Sequence, residues 1–279
     1  MLDLGFTFLK GSKMEFLKIS AGKKGNETHE QFYATQDVKI NEYLRDLKNQ
    51  VNRPLSIIDV GGGCNTRIPE TTHVVDLFPL VNKCWQNNFQ GEFFQGDIDL
   101  SDVWDRLFEY VDKNGKFDFA VCSQTLEDIN SPHQAVLNLF KIANAGMVAV
   151  PSKYIETCKW ENLGGRQYLG YNHHRWIYTV KNGIFYGYPK MGCIEGHFNP
   201  GDDFVSRDKY RQMFGNEGYE TQTEMTFLWE GSFPINFVSP FIYHHTEFTE
   251  NKRSAIINLL EPDDICGLIG QYCGDKINR

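Results

Sequence analysis

The sequence predicts an α/β fold, a mostly parallel sheet with helices on both faces, and three observations lead to it. Five short runs rich in apolar, β-branched or aromatic residues alternate with helical patterns between residues 55 and 151. The runs are apolar nearly throughout rather than at every second position, which suits strands buried on both faces. A triple glycine, Gly61 to Gly63, follows the first run directly and falls where such a sheet makes its first strand-to-helix turn.

From Thr35 to Val51, Ile40, Leu44, Leu47 and Val51 recur at helical spacing, and Pro54 ends the pattern. The strand candidates are Leu55 to Val60, His73 to Leu77, Glu92 to Gln95, Phe117 to Cys122 and Gly146 to Val150. Between them, Asp99 to Lys113 sets Val103, Leu107 and Val111 on one stripe behind a cap at Asp99 or Ser101. Ser131-Pro132 reads as an N-cap followed by proline at the first helical position. The helix it opens runs to Asn144 with Val136, Leu139, Phe140 and Ala143 inward, and Gly146 closes it. Right-handed crossovers between these elements give the parallel sheet.

After Pro151 the composition shifts toward aromatics and glycine. "RWIYTVKNGIFYGYPK" places Asn182-Gly183 between two strand-like runs, a strong hairpin signal. A helix over Ser206 to Phe214, a run from Tyr219 to Trp229 and an amphipathic stretch from Glu250 to Leu260 follow. The expected organisation is a single domain over 1–279. Residues 1–54 form an N-terminal extension and helix, 55–151 the ligand-binding core, 152–206 an insertion over the substrate, and 207–279 the C-terminal strands and tail.

Bulk properties narrow the function. A chain of 279 residues, 41% hydrophobic, can bury a full core, and a net charge of -8 opposes a main role in neutralising nucleic-acid phosphates. Seven cysteines without a C-x-x-C pair fit neither a disulfide framework nor a zinc knuckle, so a reducing, cytoplasmic setting is expected. No apolar run approaches the roughly 20 residues needed to cross a bilayer, and no membrane span is expected. The expected partner is a small-molecule substrate, not a nucleic acid; the oligomeric state is left open.

Glycines at the first turn permit positive φ and clear the Cβ atoms that would hold a ligand off the backbone. Two ligand classes use such a turn: dinucleotides, and adenosyl cofactors without phosphate. The third glycine of a dinucleotide fingerprint is replaced here by Thr66, with Pro69 close behind, which weakens that alternative. Asp59 ends the first strand and can anchor a cationic ligand. Asp76 ends the second and can accept from ribose hydroxyls, and Asp97, after the third, can accept from an adenine amino group. Asp76 and Asp97 have a plainer reading as simple strand-end caps.

"IIDVGGGCNT", "HVVDLF", "FFQGDID" and "FDFAVCSQTLEDINSPHQAVLNLFKIANAGMVAVPS", in that order, resemble successive motifs of class I S-adenosylmethionine-dependent methyltransferases over residues 55–152. The resemblance extends to a subgroup with a shortened first-motif loop and a downstream "HRW". It implies a Rossmann-like, mostly parallel seven-stranded sheet with an antiparallel edge strand and a β-hairpin insertion, and S-adenosylmethionine as cofactor. It also implies that Asp59, Gly61, Gly62 and Gly63 line the methionine part of the cofactor, Asp76 and Leu77 the ribose, Asp97 and Ile98 the adenine, and Ser123 and Leu126 the far wall. The chain departs from the family in that Asp76 follows Gly61 by only fifteen positions, and in carrying Gln124 and Asp128 where many relatives have histidines. A methyltransferase fold kept as a binding or scaffold module is the alternative those departures motivate.

Methyl transfer to a hydroxyl or ammonium needs a proton acceptor, and "GYNHHRWIYT" offers His173 and His174 with Arg175 to pair with a substrate anion. If this stretch begins a strand, His174 and Trp176 share one face while His173 and Arg175 share the other. Trp176, Tyr178, Phe185 and Tyr188 then wall a pocket or simply pack. A metal site from His173, His174, His244 and His245 is disfavoured, because adjacent residues in a strand point apart.

Overall fold

The computed structural model describes residues 13–17, 38–62, 66–78, 89, 91–156, 158–190 and 224–237. They divide into two compact units, the first holding those within 1–17, 28–150 and 226–233, the second those within 18–27, 151–225 and 234–279. The expected helices at Ser206 to Phe214 and Glu250 to Leu260 lie outside the described residues, as do Gly63, His244 and His245.

The first unit is a Rossmann-like α/β sheet. Its strands are β1 (Lys13–Leu17), β2 (Ile57–Val60), β3 (His73–Asp76), β4 (Glu92–Gln95), β5 (Phe119–Ser123), β6 (Ala145–Pro151) and β11 (Glu224–Glu230), in the order β1-β11-β6-β5-β2-β3-β4. The pairs β2–β3, β2–β5, β3–β4 and β5–β6 are parallel, while β1 pairs antiparallel with β11 at the edge. Strand order reverses on either side of β2, so a crevice at its carboxyl end is the expected ligand position.

Helices cover both faces. In the register Ile57↔Phe119 and Val121↔Met147, alternate residues Ile57, Phe119, Val121, Ala145 and Met147 face one way. They form one cluster with Ile40 and Leu44 of helix α1 (Val38–Val51). The other face meets α2 (Ser101–Asn114), whose Tyr110 stacks on Phe117 at 5.2 Å and meets His73 edge-on at 5.0 Å. Phe140 of α3 (Pro132–Ile142) packs against Trp229 of β11 at 5.3 Å. The Arg53 guanidinium, just past α1, donates to both carboxylate oxygens of buried Asp118 at 2.7 and 2.8 Å, and Asp118 also receives Ser56 N–H. Start points of β2 and β5 are thereby fixed together.

Two expected helix ends differ. Leu100, without a side-chain cap bond, precedes α2, because Asp99 is already committed to the next connection, accepting from Asn130 N, Asn130 Nδ2 and Ser131 N at 2.7–2.9 Å. Helix α3 ends at Ile142 with Ala143 as its cap, and Gly146 belongs to β6 instead. A Cβ there would stand 2.4 Å from the Ala120 carbonyl oxygen and 2.7 Å from the Trp229 ring.

The second unit is built of hairpins. It contains α4 (Lys153–Glu156), β7 (Lys159–Leu163), β8 (Arg166–Leu169), β9 (Trp176–Lys181), β10 (Ile184–Pro189) and β12 (Ile235–Phe237). Asn182 and Gly183, at φ 52° and 69°, make the two-residue turn between β9 and β10, and Gly164-Gly165 repeats the device between β7 and β8. Tyr178 and Phe185 stack at 4.9 Å and meet Phe237 edge-on. With Trp176 and Tyr188 also buried, these aromatics are a packed core rather than pocket walls.

Gly146→Ala is expected to destabilise the protein by about 1–3 kcal/mol through overpacking against backbone, read as a lower midpoint in urea unfolding.

Candidate functional site

Strand register sets the site. Asp59 pairs with Val74 and Val121, so Asp59, Asp76 and Ser123 project from one face at the ends of three adjacent strands. Gly61 holds φ 77° and donates its N–H to the Val75 carbonyl at 2.8 Å. A Cβ on Gly61 would fall 2.4 Å from the Thr125 side chain, and one on Gly62 would fall 2.6 Å from the Asp59 carboxyl carbon. Both glycines are therefore required by close approach of their neighbours, apart from any ligand.

Asp59 is 1% exposed. Its Oδ2 accepts the Arg67 backbone N–H at 3.2 Å, and its Oδ1 is buried with no hydrogen-bond partner. Burial pushes the carboxyl up to about 7. The Arg67 N–H bond and the Arg67 charge oppose that rise, and the Asp76 carboxylate adds slightly to it. Buried Cys122 is raised well above an ordinary thiol by burial first, then by the carboxylates of Glu127 and Asp59, which makes it a poor nucleophile.

The other acidic residues serve turns as well. Asp76, buried, accepts the Phe78 N–H through Oδ1 at 2.9 Å, and half-buried Asp97 accepts the Asp99 N–H through Oδ1 at 2.9 Å. These are the local bonds of aspartate at a strand end. Leu77 is exposed at 53%, whereas Ile98 and Leu126 are buried, and the Ile98 carbonyl accepts the Trp104 indole N–H. Ser123 Oγ accepts from Arg67 Nη1 at 3.0 Å. The next residue, Gln124, takes φ 52°, an uncommon conformation for a side-chain-bearing residue, and Thr125 Oγ1 donates back to the Ser123 carbonyl. Among residues 66–72 of the first connection there is no helix.

Arg67 and Thr125 were not singled out by sequence. Arg67 is a lone cation in an irregular loop, with only its proximity to the glycines as a signal. Thr125 is visible only once the Gly61 contact is known.

In the second unit, strand β9 begins at Trp176, so His173 and His174 lie in the turn before it rather than in the strand. His173 and Arg175 are exposed; His174 is buried. His174 Nδ1 lies 2.7 Å from Glu156 Oε1, and the Lys190 ammonium donates to Glu156 Oε2 at 2.7 Å and to the Tyr171 carbonyl. Glu156 and Lys190 are both essentially inaccessible. With the carboxylate as acceptor, the neutral imidazole carries its proton on Nδ1 and keeps Nε2 as the basic nitrogen. Gly170 makes room for this: a Cβ there would meet Glu156 Oε2 at 2.3 Å.

No protein-family model matches the chain, and no curated protein matches it either. Among solved structures it is similar to magnesium protoporphyrin IX methyltransferase from Synechocystis with bound SAM, at 16% identity and TM-score 0.30, over 45% of this chain and 64% of that one, just under two thirds of its length. It is also similar to the methyltransferase domain of bacterial CtHen1 (14% identity, TM-score 0.34, 70% of this chain and 98% of that one). A third is an O-methyltransferase family protein from Burkholderia thailandensis (16% identity, TM-score 0.27, 44% and 41% covered). At such scores it is the strand order, rather than these likenesses, that carries the fold. No helix among the described residues is long and apolar enough to cross a membrane.

The Asp59 carboxyl gives a pH test. Its folded-state value lies above the unfolded one, so its stabilising contribution is complete below about pH 4 and is lost as pH rises through about 7. Asp59→Asn should therefore gain stability relative to the parent between pH 5 and pH 8 in urea unfolding, with the difference growing toward pH 8.

Proposed function

We propose that the chain is an S-adenosylmethionine-dependent methyltransferase acting on a small-molecule, sugar-like or lipid-like acceptor. The observation that carries this is the buried Asp59 carboxyl, whose unpartnered Oδ1 sits beside a glycine turn at the switch point of a doubly wound sheet. A buried acceptor without a partner is costly, and a ligand ammonium would satisfy it. Asp59, Gly61, Gly62 and Gly63 are assigned to the methionine end of the cofactor, Asp76 and Leu77 to the ribose, Asp97 and Ile98 to the adenine, and Ser123 and Leu126 to the far wall. The subgroup likeness, with its short first loop and "HRW", belongs to the same proposal.

Bound S-adenosylmethionine supplies a methyl group on a sulfonium, an electrophile whose transfer depends on alignment and exclusion of water. The protein's own tasks are then to hold the cofactor and to accept the acceptor's proton. Residues 152–206 are proposed to provide the acceptor side. His174 is the preferred base, its ring oriented through Nδ1 by Glu156, with exposed His173 second and Arg175 positioned for an anionic group on the acceptor.

The alternative is a methyltransferase-like fold retained as a binding or scaffold module. Arg67 occupies Ser123 Oγ, and Asp76 and Asp97 each spend an oxygen on a turn, so the protein's own groups use contacts that a cofactor would need.

Calorimetric titration with S-adenosylmethionine decides between binding and none. Because the cationic ligand selects ionised Asp59, affinity should rise about ten-fold between pH 6 and pH 8. Asp76→Ala should weaken binding without unfolding the protein. The absence of heat at millimolar cofactor at both pH values would remove the proposal.

A further inference from the structure

Lys190, the residue after Pro189 of β10, holds the histidine-bearing turn of the second unit at both ends. Its ammonium donates to the Tyr171 carbonyl, where the turn begins. Its backbone N–H donates to the Arg175 carbonyl at 2.8 Å, where the turn passes into β9. The Tyr171 carbonyl also accepts the His174 N–H at 3.2 Å, so the ammonium rests on the atom that closes the turn. The same ammonium reaches Glu156 Oε2 at 2.7 Å, and Glu156 Oε1 lies 2.7 Å from His174 Nδ1. One side chain therefore meets both the backbone of the turn and the carboxylate against which its imidazole is set.

The charge on that carboxylate decides where the imidazole proton sits. An ionised carboxylate only accepts, so Nδ1 must donate and Nε2 is the basic nitrogen; a protonated carboxyl donates, Nδ1 then accepts, and the ring proton moves to Nε2. Glu156 and Lys190 are 0% and 1% exposed. A carboxylate so placed takes up a proton unless a cation faces it. The ion pair with Lys190 supplies that cation.

We propose that Lys190 is the positioning residue for His174: its ammonium keeps Glu156 ionised, and Glu156 in turn keeps the imidazole proton on Nδ1 and leaves Nε2 to take the acceptor's proton. The ring stays neutral because the negative charge of Glu156 is already matched, and a second positive charge in the cluster would stand uncompensated. The assignment rests on the reading of His174 as the base and adds the residue that prepares it. Two tasks coincide in Lys190. As a cation it fixes the tautomer; as a donor to Tyr171 and Arg175 it fixes where the ring stands. An uncharged donor could perform the second task and not the first.

The test is NMR of isotopically labelled histidine ring nitrogens in the full chain, without ligand, at about pH 8, above the ordinary imidazole range. The His174 ring is assigned by its loss in His174→Gln. The wild type should show His174 neutral, with its proton on Nδ1 and Nε2 unprotonated. Lys190→Met, which removes charge and donor, and Lys190→Gln, which removes the charge and keeps a donor, should both lose the unprotonated Nε2 signal. In these variants Glu156 takes up a proton and donates to Nδ1, or the ring itself takes the proton and pairs with Glu156. A wild-type ring protonated on Nε2 would overturn the proposal, and that measurement needs no variant to fold. Retention of the wild-type signal in either folded variant would overturn it too, since a role confined to holding the turn leaves the tautomer alone. Because neither cofactor nor acceptor is present, these outcomes leave the methyltransferase reading standing; that reading falls to the cofactor titration, which in turn leaves the tautomer untouched.

Discussion

Asp59 is the third residue of a strand whose four residues are all buried, and only one of its two carboxyl oxygens is hydrogen-bonded. In water such a group ionises near pH 4; here burial holds the proton on until about pH 7. The arrangement costs stability whenever the group is charged. Its neighbours are fitted to it nonetheless: Gly62 has no Cβ because the carboxyl occupies that space, and Gly61 turns with positive φ against Thr125. The proposed ligand ammonium would offset the cost of a carboxyl kept in this way, which an apolar residue of similar size would avoid.

The second unit solves a related problem differently. Its buried Glu156 is partnered internally, by the Lys190 ammonium on one oxygen and the His174 ring on the other. The result is an imidazole of fixed orientation in a turn that also exposes His173 and Arg175. Lys153, equally buried, donates to Thr179 Oγ1 and ties α4 to β9. This unit therefore spends its charges on holding a turn in place, whereas the first leaves a carboxyl oxygen unpartnered.

Much of the first unit was readable because each strand is bounded by punctuation and each helix shows one apolar stripe. Strand β4 has the expected bounds, and the others differ from expectation by one or two residues at an end. The expected helix ends were less readable because capping is settled in three dimensions: Asp99, a good N-cap by type, is claimed by residues 130 and 131 across the next connection. The Asn182-Gly183 hairpin was plain from its turn pair; Gly164-Gly165 carries the same signal more weakly, since glycine pairs also occur in open loops. At the site, residue types at strand ends located Asp59, Asp76 and Asp97, yet nothing in the sequence distinguishes an aspartate with an unpartnered oxygen from one bonded to its own turn. Nor could periodicity find Arg67, which reaches Ser123 from an irregular loop, or the Glu156–His174–Lys190 network, whose members are separated by 18 and 34 positions in the chain.

The most direct test of the account is the titration of the Asp59 side-chain carboxyl by carbon-detected NMR, in the free protein and with S-adenosylhomocysteine bound. The account predicts a midpoint near 7 in the free protein, falling toward the ordinary carboxylate range when the ligand's ammonium occupies Oδ1. A midpoint near 4 in the free protein, or one that ligand leaves unmoved, would contradict it.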